Sequence, residues 1–313
     1  MQNGRLTSFA LVAVLSVLAS SSLAHADTMD IALGRLSLDN GVGGRVPDND
    51  SWRALVQQQG AALAQPMLEP ARTLGYGGFY IGLEGSLTGI SSSQDYWQLG
   101  TEGDANAPAE GRNRFPSSVL YWQRLNLRKG LPFGFELGSS GGHLMGTGQW
   151  SLGLSLKWSL FEGFRRGPYS FIPDVAIRGA VQTMIGDSEF HLTVPTLDIV
   201  VSKPFVIANQ LTLSPYMGFQ QAWIYGTSEV VDLTPGVDAY TEPTPADYGN
   251  NATFATVNAS RSRGYVGVQA RFAALTITTA FTVDLSAPGD VGATAPLNLA
   301  HQWTWAFGLG LSY

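Results

Sequence analysis

The chain has 313 residues, with 18 Lys or Arg against 24 Asp or Glu and a formal net charge of −6. Only 13% of residues are charged, about half of the roughly 25% usual in soluble domains, while glycine reaches 37 and aromatics 11%. There is no cysteine, which excludes thiol catalysis, Cys-ligated zinc and a disulfide scaffold, and the absence of a basic run argues against nucleic acid as a partner.

Residues 1–26 read as a secretion signal. Arg5 gives a positive start, 9–18 is a short apolar core, and Ala24-His25-Ala26 fits the small-x-small rule, so the exported chain is expected to begin at Asp27. The core falls short of the ~20 apolar residues of a spanning helix, and no later stretch reaches that length. With a mean hydropathy of +0.05, the chain must hide its apolar surface in some other way. Segment 27–77 is expected to be a separate N-terminal piece, either periplasmic or inserted in a lumen. Within it, 40–50 is turn-rich, Asp50 and Ser51 offer N-caps, and Trp52, Leu55, Val56 and Leu63 share a helical face before Pro66. These features predict a helix over 52–65.

From residue 78 the period changes to two. Ten alternating segments follow, at about 78–90, 117–128, 131–141, 148–160, 171–184, 191–202, 210–226, 263–273, 275–284 and 302–313. The first sets Phe79, Ile81, Leu83 and Leu87 against Tyr80, Gly82, Glu84, Ser86 and Thr88. The third is expected to put Phe133, Phe135 and Leu137 outward. In the fourth, Trp150, Leu152, Leu154, Leu156, Trp158 and Leu160 oppose Gln149, Ser151, Gly153, Ser155, Lys157 and Ser159. The eighth and ninth are joined tightly near Ala273-Ala274. Most segments match the roughly 9–11 residues of a tilted spanning strand. The connections alternate in phase with the strand count. The loops at 91–116, 142–147, 185–190, 227–262 and 285–301 fall on one side, and mostly shorter turns at 129–130, 161–170, 203–209 and 273–274 on the other. Residues 31–38 leave room for one more strand, and 227–262 for a hidden hairpin.

The last segment carries the most information. Trp303, Trp305, Phe307, Leu309, Leu311 and Tyr313 form an unbroken apolar face against Gln302, Thr304, Ala306, Gly308, Gly310 and Ser312. Together with the ten alternating segments, this resembles the bacterial outer-membrane β-barrel proteins, whose assembly machinery recognises a C-terminal aromatic strand. The resemblance covers 78–313 and singles out no subfamily. It implies an all-β fold: a transmembrane antiparallel up-and-down β-barrel of about ten strands (eight to twelve remain open) with a short N-terminal helix. It also implies the bacterial outer membrane as location, outer-membrane lipid and lipopolysaccharide as surroundings, and the assembly machinery as a partner through the strand ending in Tyr313.

If the alternation holds, Glu84, Arg124, Arg128, Glu136, Lys157, Asp174, Arg178, Asp198 and Arg271 line the lumen. A barrel of about eight strands fills its interior with side chains, and only 16 or more leave a wide channel. Unpaired buried charges are costly, so mixed signs argue for a mostly plugged interior. The small residues of the tenth strand leave space for water or for the N-terminal segment. Because a helix is about 10 Å across, it is expected to sit at the periplasmic mouth rather than through the whole lumen.

The histidines after the signal, His143, His191 and His301, fall at the outer rim. In an extended chain His191 shares a side with Asp187 and Glu189, an arrangement able to activate water and broadly similar to rim-active outer-membrane proteases. The loop carboxylates Asp95, Glu102, Asp104, Glu110, Glu229, Asp232, Asp238, Glu242 and Asp247 lack EF-hand spacing, and no metal or other cofactor is expected. The sequence thus points to a small channel or transporter, or a structural surface protein. The alternative is a rim hydrolase, acting on protein or lipid, using His191 with Asp187 and Glu189.

Overall fold

The computed structural model describes residues 27–41, 44–103, 112–163, 171–207, 211–235, 250–286, 289–290 and 299–313. The expected secretion signal and the carboxylates Asp104, Glu110, Asp238, Glu242 and Asp247 lie outside them. Ten long strands run in order: β1 (Phe79–Gly89), β2 (Val119–Gly130), β3 (Phe135–Leu144), β4 (Trp150–Phe161), β5 (Asp174–Ile185), β6 (Phe190–Ser202), β7 (Leu211–Ser228), β8 (Val257–Phe272), β9 (Leu275–Asp284) and β10 (Trp303–Ser312). Each pairs antiparallel with the next, and β10 returns to β1 from Thr304↔Thr88 to Ser312↔Tyr80. The sheet therefore closes and leaves no edge. At the seam the Phe79 N–H donates to the Tyr313 carbonyl at 3.0 Å, and the Tyr313 N–H donates to that of Phe79 at 2.8 Å.

Period-2 alternation sets the two faces. On β4, Leu152 is 57% and Leu154 60% exposed, while Ser151, Lys157 and Ser159 are buried. Phe135 stacks on Trp158 at 5.6 Å near one end of the barrel, and Phe281 on Trp303 at 6.3 Å near the other. An apolar band between aromatic girdles is the exterior of a membrane-spanning barrel. Among the described residues no helix is long and apolar enough to cross a membrane. Long connections gather at one end, the loop end, and shorter ones at the other, the turn end.

The N-terminal segment starts at the loop end. The Met29 N–H donates to the Gly146 carbonyl at 3.3 Å and the Ala32 N–H to that of Gly100 at 3.0 Å. Ser37–Asp39 then pairs with Arg45–Pro47 in a small hairpin. The helix α1 (Asn49–Leu63) follows, its first turn capped by the Asp48 carboxylate, which accepts from the Ser51 N–H at 3.1 Å. Pro66 disfavours helical geometry at Gln65, and α1 ends just before it. A short helix α2 (Asp95–Leu99) in the first long loop packs against α1.

Four expectations are corrected. The helix sits inside the loop-end half of the barrel, where it packs on β7, β6, β8, β1, β2 and β5, and not at the turn-end mouth. It fits because at this level the wall turns apolar side chains inward and leaves gaps for it. A Cβ on Gly60 would lie 2.5 Å from Ile224 of β7. β8 starts at Val257 rather than 263, because its alternation continues through Ala259, Arg261 and Arg263, all buried. Phe133 leaves the strand: it takes φ 62° in a turn after Pro132 and is 90% exposed. Residues 31–38 add no barrel strand, since Ile31 makes a single bridge to Thr101. The long loop does hold a small pairing, Val231–Asp232 with Asn251–Ala252.

Candidate functional site: the plugged lumen

Every residue from Trp52 to Ala71 is buried. The helix and the chain after it therefore thread the barrel from the loop end towards the start of β1 at the turn end. The upper layer is apolar. Trp52, Leu55, Val56 and Leu63 of α1 join Leu120, Trp122, Leu144, Met184, Phe190, Leu192, Val194, Ile224 and Val257 of the wall in one core. Trp52 meets Phe190 edge-on at 5.4 Å, and its indole N–H donates to the Ala255 carbonyl at 2.9 Å. Burying Leu55, Val56 and Leu63 stabilises the plug by ~1.5–3 kcal/mol each. Gln58 ties α1 to the cap: its Oε1 accepts from the Trp97 indole at 2.7 Å and its amide donates to the Tyr96 hydroxyl at 3.0 Å.

Below this, the C-terminal end of α1 meets cations. The last carbonyls of a helix lack intrahelical partners and carry partial negative charge. Arg263 donates to the Ala61 carbonyl at 3.1 Å, and Arg124 to those of Ala62 and Leu63 at 3.3 and 3.1 Å. Arg178 and Gln220 both donate to the Gln65 carbonyl, at 3.1 and 3.0 Å. One turn lower, the Glu69 carboxylate pairs with Arg128 and, at 2.5 Å, with Lys157, which also lies 3.2 Å from Glu136. Arg178 pairs with Asp198 at 2.9 Å, and Asn126 donates to Glu84 at 2.9 Å.

Glu84, Arg124, Arg128, Glu136, Lys157, Asp174, Arg178 and Asp198 are thus buried on the inner face. Arg271 also lies on that face by register but is exposed at the turn-end mouth, where its Nε donates to the Ala273 carbonyl at 3.1 Å. Reading the sequence missed Arg261, Arg263 and Asp284, although stepping back by two from Arg271 and on from Thr276 reaches them. Asp284 pairs with Arg261 at 2.6 Å. Glu69 was out of reach, because the plug carries no periodic pattern. The available signal was that Leu120, Trp122, Phe190, Leu192, Val194 and Ile224 are apolar on the face turned away from lipid, which demands an apolar occupant.

At the turn end the plug floors a vestibule of ≈ 390 Å³, lined by Arg72, Thr73, Tyr80, Asp174, Ser214 and Arg271 among others.

The rim carboxylates do not converge on His191. Residues 186–189 form a turn rather than a strand, and Asp187 Oδ1 accepts from the N–H groups of Glu189 and Phe190 at 2.8 and 3.3 Å. Asp187 Oδ2 accepts from Gln149 at 2.9 Å. Glu189 accepts from the Leu33 N–H at 2.6 Å, while His191 points outward and meets Glu229 at 3.1 Å. Burial pushes the carboxyls of Asp187 and Glu189 up from their ordinary values. His143 bonds the Thr147 carbonyl at 2.9 Å and His301 that of Asp284 at 3.1 Å. Among the described residues no His, Cys, Asp and Glu cluster is arranged to hold a metal.

No family model and no curated protein matches the chain. Several solved barrels resemble it in shape. The N-terminal β-barrel domain of OprF from Pseudomonas aeruginosa is 10% identical, over 76% of this chain and 99% of that one, with a TM-score of 0.29. OprG from the same organism is 10% identical over 78% and 99%, with a TM-score of 0.30. The outer-membrane protease OmpT from Escherichia coli is 7% identical over 75% and 95%, with a TM-score of 0.33. The likeness is to the barrel alone. In this chain, closed pairing and an outward apolar band between aromatic girdles together make an outer-membrane-type β-barrel.

Proposed function

We propose that the protein is a plugged barrel of the bacterial outer membrane that serves as a structural surface protein, closed to solutes and presenting its loop end outside. The observation that carries this reading is the unbroken burial of residues 52–71 inside the barrel. Long loops face outward in such barrels. On that rule the cap formed by 27–41, 44–47 and α2 is displayed at the cell surface among lipopolysaccharide, and the turn end faces the periplasm. The strand closed by Tyr313 at the β1 seam is the element offered to the assembly machinery. A channel role would require the plug to leave, which strips Arg124, Arg178 and Arg263 of their carbonyl partners.

Planar-bilayer recording tests the proposal. The full chain should show no conductance steps, whereas deletion of residues 27–70 behind the signal should produce them. Steady open-channel conductance from the intact chain would overturn the closed reading.

A further inference from the structure

The vestibule at the turn end has a use beyond sealing the barrel. It is blind: its floor is the plug from Pro70 to Gly75, and its ≈ 390 Å³ would hold about a dozen waters at ~30 Å³ each. That volume falls within the roughly 300–1,000 Å³ range of small-molecule sites.

Its charges divide into used and unused. Arg128 is matched by Glu69 and Glu136. The Glu162 carboxylate accepts from the Thr73 N–H at 3.0 Å and from its hydroxyl at 3.1 Å. Three groups keep spare capacity. Arg72 and Arg271 line the cavity, and neither makes an ion pair among the described residues. Asp174, 3% exposed, accepts from the Gly163 N–H at 3.0 Å through Oδ1 and feels the charges of Arg72 and Lys203, while its buried Oδ2 has no hydrogen-bond partner among the described residues. Buried polar atoms are nearly always satisfied, so an orphan carboxylate oxygen beside a cavity points to an occupant. Arg72, whose charge also acts on Asp174, and Arg271, of which only Nε is engaged, both have N–H groups left for an anion, for which their planar fork is suited. A free carboxylate oxygen wants a cationic donor. The hydroxyls of Thr212 and Ser214 add neutral partners, and the Tyr80 ring adds an apolar wall.

We propose that this vestibule binds a small zwitterion of amino-acid or dipeptide size. Its carboxylate is held by Arg72 and Arg271, and its ammonium by Asp174. A simple anion would leave Asp174 repelling it, and a simple cation would leave both arginines unused. The site is reached from the turn end and needs no passage through the barrel. Binding without conductance is therefore the expected state, and a failure of the closed-barrel reading would leave the binding result standing.

The test is isothermal titration calorimetry on the full chain in detergent micelles, with alanyl-alanine as probe and acetate and inorganic phosphate as comparators. Saturable binding of the dipeptide is expected, stronger than that of either anion. Arg271→Gln and Asp174→Asn should each weaken it about tenfold or more, the scale of a lost hydrogen bond to a charged group. Arg72→Gln, at an exposed position, gives the same reading if Asp174→Asn disturbs the fold. Absence of saturable dipeptide binding would overturn the proposal. So would equal affinity in parent and variants, or acetate or phosphate binding as tightly as the dipeptide.

Discussion

Glu69 of the plug and Lys157 of β4, 88 residues apart in sequence, lie 2.5 Å apart in the lumen, with side chains 6% and 2% exposed. Arg128 shares the same carboxylate and Glu136 the same ammonium. This four-membered cluster ties the plug to three neighbouring strands of the wall, β2, β3 and β4, and it is closed only when the plug is present.

Removing one partner of a buried pair leaves an uncompensated charge, at a cost of ~3–5 kcal/mol. Glu69→Ala should therefore lower the stability of the folded barrel by about that amount in urea unfolding followed by tryptophan fluorescence. Adding Lys157→Met removes the surplus cation and should recover part of the loss. If the double variant is no more stable than Glu69→Ala, the cluster does not hold the plug as described.

Glycine inside a helix costs about 1 kcal/mol relative to alanine, yet Gly60 occupies the last turn of α1 because Ile224 leaves no room for a Cβ. Gly60→Val should overpack this contact by ~1–3 kcal/mol, and Ile224→Ala should relieve the strain in the double variant. Protease resistance of the 49–63 segment in proteoliposomes reads both effects. Additive destabilisation would mean that the two side chains do not meet.

The cysteine-free chain permits a direct topology experiment. A single cysteine at Gly41 should react with a membrane-impermeant maleimide on intact cells, whereas one at Tyr76, 85% exposed at the turn end, should react only after permeabilisation. The reverse pattern would invert the barrel.

Glu189 receives the Leu33 N–H and so fastens 27–36 to the loop end. Burial is the largest influence on its carboxyl and raises its pKa above the unfolded value. The folded state therefore holds its proton more tightly. The resulting stability is fully present below the unfolded pKa and is lost as pH rises through the folded one. Hydrogen exchange of the amides in 29–36, corrected for intrinsic rates, should show protection falling over that window. Glu189→Gln should flatten the dependence, and an unchanged slope would assign it to another group.

Tyr313 exchanges two hydrogen bonds with Phe79 where the barrel closes. Tyr313→Lys should reduce the amount of heat-modifiable, membrane-inserted protein, and normal levels would show that the terminal aromatic is dispensable for assembly.

Alternation alone determined the barrel. In Trp150–Phe161 or Trp303–Ser312 each residue must face either lipid or lumen, and period two writes that choice directly into the chain, so the closing strand and loop phase were legible and the strand number lay within eight to twelve. The same rule placed Glu84, Arg124, Lys157 and Asp198 inside. What fills the lumen was decided only in three dimensions. Residues 64–71 follow no period, and their fit depends on contacts made across more than fifty residues of sequence, such as Arg124 with Leu63 and Lys157 with Glu69. The turn at 186–189 likewise separated Asp187 and Glu189 from His191, because backbone N–H groups claimed a carboxylate that an extended strand would have left free.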